Sequence, residues 1–176
     1  MHLIHRGVTQ GDLFLDDIDR RQFLLRLVRA CDRRDWTIVA WTLMTNHVHI
    51  VARRGASPTA AFARSYSALY ARDFNRRHGR SGHVFEGPYR RIPIHSDEQL
   101  LACIRYVHLN PVVAALVPSL EALELDPWTG HRGLMGGPVL PTHDTAFVLS
   151  MYGECPTVAR QRVREHMVEG LIHRPW

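Results

Sequence analysis

Asn46-His47-Val48-His49-Ile50-Val51 sets two histidines two positions apart inside an apolar, β-branched run. In a strand, residues i and i+2 point to the same face. The spacing therefore sets His47 and His49 side by side on one face and turns Val48 and Ile50 toward a core on the other. Two imidazoles held on a rigid strand make half of a divalent-metal site. The preceding run, Trp36 to Leu43, reads as a second strand. Met44-Thr45-Asn46 is the turn, and His47 to Arg53 is the antiparallel return.

Working outward, His2 to Gly7 fits a short strand. Asp16 to Arg33 fits a helix, with Phe23, Leu24, Leu27, Val28 and Cys31 as its apolar stripe. Ser57-Pro58 opens a second helix, with serine as N-cap and proline in the first position. It runs to about Arg77 and stops at His78-Gly79. Val84 to His95 is extended, with an interruption at Gly87-Pro88. Ser96 caps a third helix, and Gln99 completes a capping-box pattern. That helix is expected to end near Asn110, because Pro111 disfavours helical geometry just before it. A short helical turn follows to Leu116.

The order β-α-β-β-α-β-α predicts an α+β, ferredoxin-like (split βαβ) fold, an antiparallel sheet with helices on one face. Residues 1–117 read as the catalytic domain. Residues 118–141, rich in proline and glycine, read as a wrapping loop. Residues 142–176 read as a C-terminal helical extension, with helices at Thr145 to Tyr152 and Thr157 to Ile172. In the last of these, Ala159, Val163, Met167 and Leu171 form a packing face.

The 176 residues show no repeat and no low-complexity tract. No apolar run approaches the ~20 residues that span a bilayer. Met1-His2-Leu3-Ile4-His5-Arg6 lacks the charged-then-apolar layout of a signal peptide, so a cytoplasmic location is expected. Cys31, Cys103 and Cys155 form no CxxC pair, which argues against a disulfide framework or a cysteine zinc site. The net charge of +5 favours a polyanionic partner. All 22 basic residues are arginine. The bland reading is codon usage in a GC-rich genome; the other is function, since arginine suits bidentate phosphate contact.

A metal on two histidines needs further ligands and a reaction to serve. In Arg105-Tyr106-Val107-His108-Leu109-Asn110, Tyr106 and Asn110 lie four apart and share a helix face. That face borders the apolar stripe of Leu100, Ile104 and Val107. A tyrosine placed there can attack phosphorus, with Asn110 as an oxygen ligand to Mg2+ or Mn2+. The competing readings are a half-buried core tyrosine and an Asn-Pro N-cap for the following turn. Tyr66, Tyr70, Tyr89 and Tyr152 have no Asn, Gln or acidic residue four positions on. His108 faces elsewhere and reads as structural. Glu86 and His95 lie near the fourth strand as candidate supporting groups. Arg72, Arg76, Arg77, Arg80, Arg90 and Arg91 cluster around the second helix and fourth strand. They read either as a solvated face or, as favoured here, as a stripe for a DNA backbone.

Four blocks carry a resemblance: Leu43-Met44-Thr45-Asn46-His47-Val48-His49, Phe74-Asn75-Arg76-Arg77-His78-Gly79, Gly82-His83-Val84-Phe85-Glu86-Gly87 and Arg105-Tyr106-Val107-His108-Leu109-Asn110-Pro111-Val112. Pro127-Trp128-Thr129 continues them. In order and spacing the chain resembles the single-tyrosine HUH transposases, the group that includes the REP-associated tyrosine transposases. The match covers roughly residues 3–136. The resemblance implies that His47 and His49 bind the metal, that Tyr106 is the nucleophile, and that Asn110 occupies the third ligand position, a glutamine in some members. It implies cleavage of single-stranded DNA near a hairpin through a 5′-phosphotyrosine link, with a free 3′-hydroxyl that can later rejoin strands. A hairpin or palindromic single strand is the implied partner, and the implied state is a monomer or homodimer. The chain departs from the family at Val113 and Ala115, where arginine and glycine are common, and at Pro88, where arginine is common.

Three rivals frame the expectation. A domesticated member would cut repeated palindromes of its host genome. A binding-only regulator would have lost catalysis, against which the intact His47, His49 and Tyr106 argue. A metallohydrolase of small phosphates would need neither the tyrosine nor hairpin DNA.

Overall fold

The computed structural model describes residues 1–172; positions 173–176 of the expected C-terminal extension lie outside the described residues. Four strands form one antiparallel sheet: β1 (His2–Arg6), β2 (Thr37–Leu43), β3 (His47–Arg53) and β4 (Arg90–Ile92), in the order β2-β3-β1-β4. β1 and β2 run parallel to each other with β3 between them, which is the split βαβ unit expected from the sequence.

Helices α1 (Asp17–Arg34) and α2 (Thr59–Arg77) cover one face of the sheet. The Asp16 carboxylate caps α1 by accepting from the Ile18 and Asp19 amides, at 3.0 and 3.1 Å. Phe23 and Leu27 of α1, Phe62 and Tyr66 of α2, and Leu3, Val48 and Ile50 of the sheet form this core. Phe23 meets Tyr66 and Tyr70 edge-on, and Trp36 stacks on Phe62 with ring centroids 4.3 Å apart. Ser57 does not cap α2. Its hydroxyl accepts instead from the Trp36 indole N–H at 3.1 Å, and Pro58 holds the N-cap position.

The third helix, α3 (Asp97–Val113), covers the opposite face, the one that carries His47 and His49, so the expectation of helices on one face only is corrected: the apolar Val39, Ala40 and Val51 need a cover of their own. Its start follows the sequence: Ser96 Oγ accepts from the Gln99 amide at 3.2 Å, and Gln99 Oε1 accepts from the His95 amide at 2.9 Å. Its end does not. The helix passes through Pro111 to Val113, so the expected stop near Asn110 is corrected. A proline in the last turn forfeits one bond, and the turn closes past it through Ala114 N–H to Asn110 O at 2.9 Å and Leu116 N–H to Pro111 O at 2.9 Å.

Residues 118–141 contain two short helices, α4 (Leu120–Leu125) and α5 (His131–Leu134), and run along the outer edge of β2. Leu43 N–H donates to Trp128 O, Gly130 N–H to Trp41 O and Ile38 N–H to Thr142 O, each at 2.9 Å. The segment thereby satisfies edge groups that would otherwise template pairing with another chain. Helices α6 (Thr145–Ser150) and α7 (Pro156–Ile172) close the α3 side. Ala159, Val163 and Met167 of α7 are buried, and Gly170 packs so closely on Arg105 and Leu109 of α3 that a side chain there would collide with both. The helix that carries Tyr106 is therefore held from two sides, by the sheet and by α7.

Three buried histidines, His108 of α3 with His131 and His143, gather on the α3 side of the sheet. The His108 and His131 ring centroids lie 5.5 Å apart, and the His143 ring N–H donates to Val39 O at 3.0 Å. On the other face, His5 is buried against the Tyr66 hydroxyl at 2.7 Å. Burial holds His5, His131 and His143 neutral and pushes each pKa down to about 4. The unfolded chain protonates these rings near pH 6.5, whereas the folded chain does not until about pH 4. Stability is therefore at its plateau above pH 6.5 and falls as the pH drops toward 4, by roughly 2 kcal/mol per histidine at pH 5. Urea unfolding at pH 7.5 and pH 5.0 should show this loss, and His143→Gln should reduce the pH dependence. Equal midpoints at the two pH values would contradict the neutral-histidine assignment.

Candidate functional site

The tight hairpin between β2 and β3, closed by Met44 N–H to His47 O at 2.9 Å, delivers His47 at the first position of β3. Alternation then puts His49 beside it on the same face, with ring centroids 4.9 Å apart. His49 is buried and His47 is half-buried. α3 brings the Tyr106 ring edge-on to His49, with centroids 5.4 Å apart. The structure thus gathers the two histidines and the tyrosine that the sequence singled out.

Each imidazole has one nitrogen engaged. His47 Nδ1 lies 2.8 Å from Asn46 Oδ1, an oxygen that can only accept, so Nδ1 carries the proton and Nε2 keeps its lone pair. His49 Nδ1 lies 2.8 Å from His2 Nε2, while the buried His49 Nε2 has no partner among the described residues. Burial is the main cause that lowers the His47 pKa, with Arg6 assisting. It also drives His49 down to about 2, aided by His2, His47 and Arg6. Neutral imidazole is the form that binds metal. The His47 Nε2 lone pair and the orphaned buried His49 Nε2 share one face, and together they fit a divalent cation when His49 carries its proton on Nδ1. Among the described residues no group of three or more His, Cys, Asp or Glu side chains forms a metal site.

Asn110 lies one turn beyond Tyr106, and its Nδ2 donates to the Tyr106 carbonyl at 2.7 Å. That contact fixes the amide and leaves Oδ1 as the atom with lone pairs to offer. Among the described residues no hydrogen bond joins Asn110 to His47 or His49. The other tyrosines stand away from the pair. Tyr66 and Tyr70 are buried in the α1–α2 core, Tyr89 packs near His5 on that side with centroids 5.7 Å apart, and the Tyr152 hydroxyl lies 2.6 Å from His166 Nδ1.

Two residues that sequence reasoning passed over, His2 and Arg6, join the site. His2, Ile4 and Arg6 alternate onto the histidine face of β1, and the register pairs Arg6 with His47 and Ile4 with His49. β4 extends the same face by pairing Arg90 with Ile4. Alternation along His2 to Arg6 is readable in the sequence, but the β1–β3 register is not. A groove of about 260 Å³ opens beside the histidines, lined by Ile4, Arg6, Glu86, Gly87, Pro88 and Arg90. Arg6 and Arg90 are exposed, and neither has an ion-pair partner among the described residues.

The structure splits the six expected arginines between two faces. Arg90 stands on the histidine face and Arg91 alternates to the other. Arg72, Arg76 and Arg77 belong to α2, across the sheet from Tyr106. Arg77 is held by Asp16 and Asp19, each at 2.5 Å, and Arg72 and Arg76 flank Asp73 at 3.8 and 3.3 Å. The Arg80 guanidinium lies over the Phe74 ring, 5.5 Å from its centroid. Glu86 lines the groove, and the exposed His95 serves the α3 cap through its backbone.

No family model matches the chain, and no curated protein matches it in sequence. Among solved structures, the chain is similar to a REP-associated tyrosine transposase bound to a REP hairpin. The TM-score is 0.62 at 13% identity, over 75% of this chain and 76% of that one. At this identity the likeness is one of fold: the chain has a fold in common with a REP-associated tyrosine transposase.

Proposed function

We propose that the chain is a metal-dependent, transposase-type endonuclease and strand transferase of the HUH kind that cuts single-stranded DNA near hairpins. The observation that carries this reading is the Tyr106 ring against His49, beside a second histidine whose Nε2 keeps its lone pair. Two imidazoles with a nearby tyrosine serve phosphodiester transfer better than hydrolysis of a small phosphate, because a hydrolase needs only water as nucleophile.

In this reading His47 Nε2 and His49 Nε2 would hold Mg2+ or Mn2+, and Asn110 Oδ1 would serve as the third protein ligand. A bound divalent cation supplies polarisation of the scissile phosphate and stabilises the charge that builds on its oxygens. Tyr106 Oη attacks phosphorus and forms the 5′-phosphotyrosine bond. The P–O3′ bond breaks, and its electron pair stays on O3′. The phenolic proton is lost to water, and O3′ gains one from water. The reverse attack by a 3′-hydroxyl on the phosphotyrosine rejoins strands with no external energy source. α3 orients Tyr106, and its packing on the sheet and on α7 fixes that orientation before substrate arrives.

Arg6 and Arg90 extend the site toward a polyanion. Both flank the histidines on one face, and both are exposed. A single strand beside a hairpin can bend into such a site, whereas a duplex must first be opened at a cost of a few kcal/mol. Fluorescence anisotropy should show tighter binding of a hairpin with a single-stranded flank than of the matching duplex. Binding should weaken with salt at about −0.7 log units per log unit for each phosphate contacted. Arg6→Ala combined with Arg90→Ala should reduce that slope by about 1.4. Equal affinity for the plain duplex would contradict the proposal.

A further inference from the structure

The His2–His49 contact joins the start of β1 to the histidine pair. His2 is buried, sits at the start of β1, and offers Nε2 to His49 Nδ1 at 2.8 Å. Its ring lies 5.0 Å from that of His49 and 6.1 Å from that of Tyr106, both centroid to centroid. A 2.8 Å contact between two ring nitrogens holds a single proton, and where that proton sits decides what His49 can do.

If His2 donates, the neutral His49 carries its own proton on Nε2, and its orphaned buried atom becomes an N–H with no acceptor. If His49 Nδ1–H donates to His2 Nε2, then His49 Nε2 holds a lone pair aimed into the site. A metal can bind only the second tautomer. His2 can accept that proton when its own proton sits on Nδ1, which leaves the lone pair on the Nε2 that faces His49. His47 has the same arrangement by another route, since Asn46 Oδ1 holds its Nδ1 proton. Both histidines thus have a partner on Nδ1, the pattern by which supporting groups fix the tautomer and ring plane of a metal ligand.

We propose that His2 is a positioning residue that selects the metal-binding tautomer of His49 by accepting its Nδ1 proton. The inference rests on the reading of His47 and His49 as metal ligands. His2 binds neither metal nor DNA; it acts through His49. The task requires an acceptor at the place of Nε2 and nothing more. Glutamine, whose Oε1 reaches about as far as histidine Nε2, should replace it. Phenylalanine, which fills the same space with no acceptor, should not.

The test is Mn2+ binding by isothermal titration and electron paramagnetic resonance in the wild type, His2→Gln and His2→Phe, without DNA, with thermal melts to confirm that each variant is folded. The wild type should bind Mn2+. His2→Phe should weaken it by about 10–100-fold, and His2→Gln should stay within about threefold of wild type. Wild-type affinity in His2→Phe would overturn the proposal, and so would equal losses in both variants, because the contact would then be packing alone. No Mn2+ binding by the wild type would instead overturn the metal reading itself. A second measurement needs no variant: ¹⁵N NMR of the ring nitrogens in the Mg2+-loaded wild type should show His49 protonated on Nδ1 and bare on Nε2. A proton on His49 Nε2 in the loaded protein would also overturn the proposal.

Discussion

Tyr106→Phe should abolish DNA cleavage, by about 10⁴-fold or more, while leaving hairpin binding within a few-fold of wild type. The substitution deletes one oxygen. The ring stays edge-on to His49, α3 stays packed on the sheet and on α7, and Arg6 and Arg90 keep their places. Loss of a nucleophile removes the covalent route entirely, and the other parts of the site cannot replace it. Binding draws on phosphate contacts that the hydroxyl does not make. A gel assay with end-labelled hairpin substrate, run beside anisotropy on the same DNA, separates the two. Residual cleavage within tenfold of wild type would move the nucleophile elsewhere. The structure leaves little choice of alternative: Tyr66 and Tyr70 are buried across the sheet, Tyr89 faces His5, and Tyr152 is engaged by His166.

His47→Ala and His49→Ala should each lower cleavage by roughly 10²–10³-fold, the size of losing one stabiliser of the charge that develops on the phosphate. The wild type should stop in chelator and recover with Mg2+ or Mn2+, and neither variant should recover at the same concentration. The two variants should differ in stability. His49 is buried between His2 and Tyr106, so its truncation opens a cavity and leaves His2 without its partner. His47 stands at the rim of the hairpin, so its truncation should cost less. Full activity of either variant in chelator would remove the metal from the account.

The parts of this molecule that follow local rules could be read from the chain. The two-residue spacing of His47 and His49 placed them on one face because alternation depends on the strand alone. The Ser96–Gln99 capping box placed the start of α3 within a single turn. The Tyr106–Asn110 spacing put both residues on one helix face. What could not be read depends on residues distant in sequence. Ser57 satisfies the Trp36 indole across 21 positions instead of capping α2. Arg77 pairs with Asp16 and Asp19, about 60 positions away, in a contact that ties α2 to α1. His2 and Arg6 enter the site only through the β1–β3 register, where a shift of one residue would have sent both to the opposite face. Pro111 is a boundary by local rules, yet the turn closes beyond it because the following amides find Asn110 and Pro111 carbonyls.

Central to the account is one covalent bond, between Tyr106 Oη and a DNA 5′-phosphate. Incubation of the wild type with a hairpin oligonucleotide and Mn2+, followed by protease digestion and mass spectrometry of the trapped adduct, reads it directly. The account predicts a single modified peptide, carrying the DNA on Tyr106 and joined through the 5′-phosphate of the downstream fragment, with a free 3′-hydroxyl on the upstream one. An adduct on another residue, or cleaved DNA with no adduct at any time point, would contradict it.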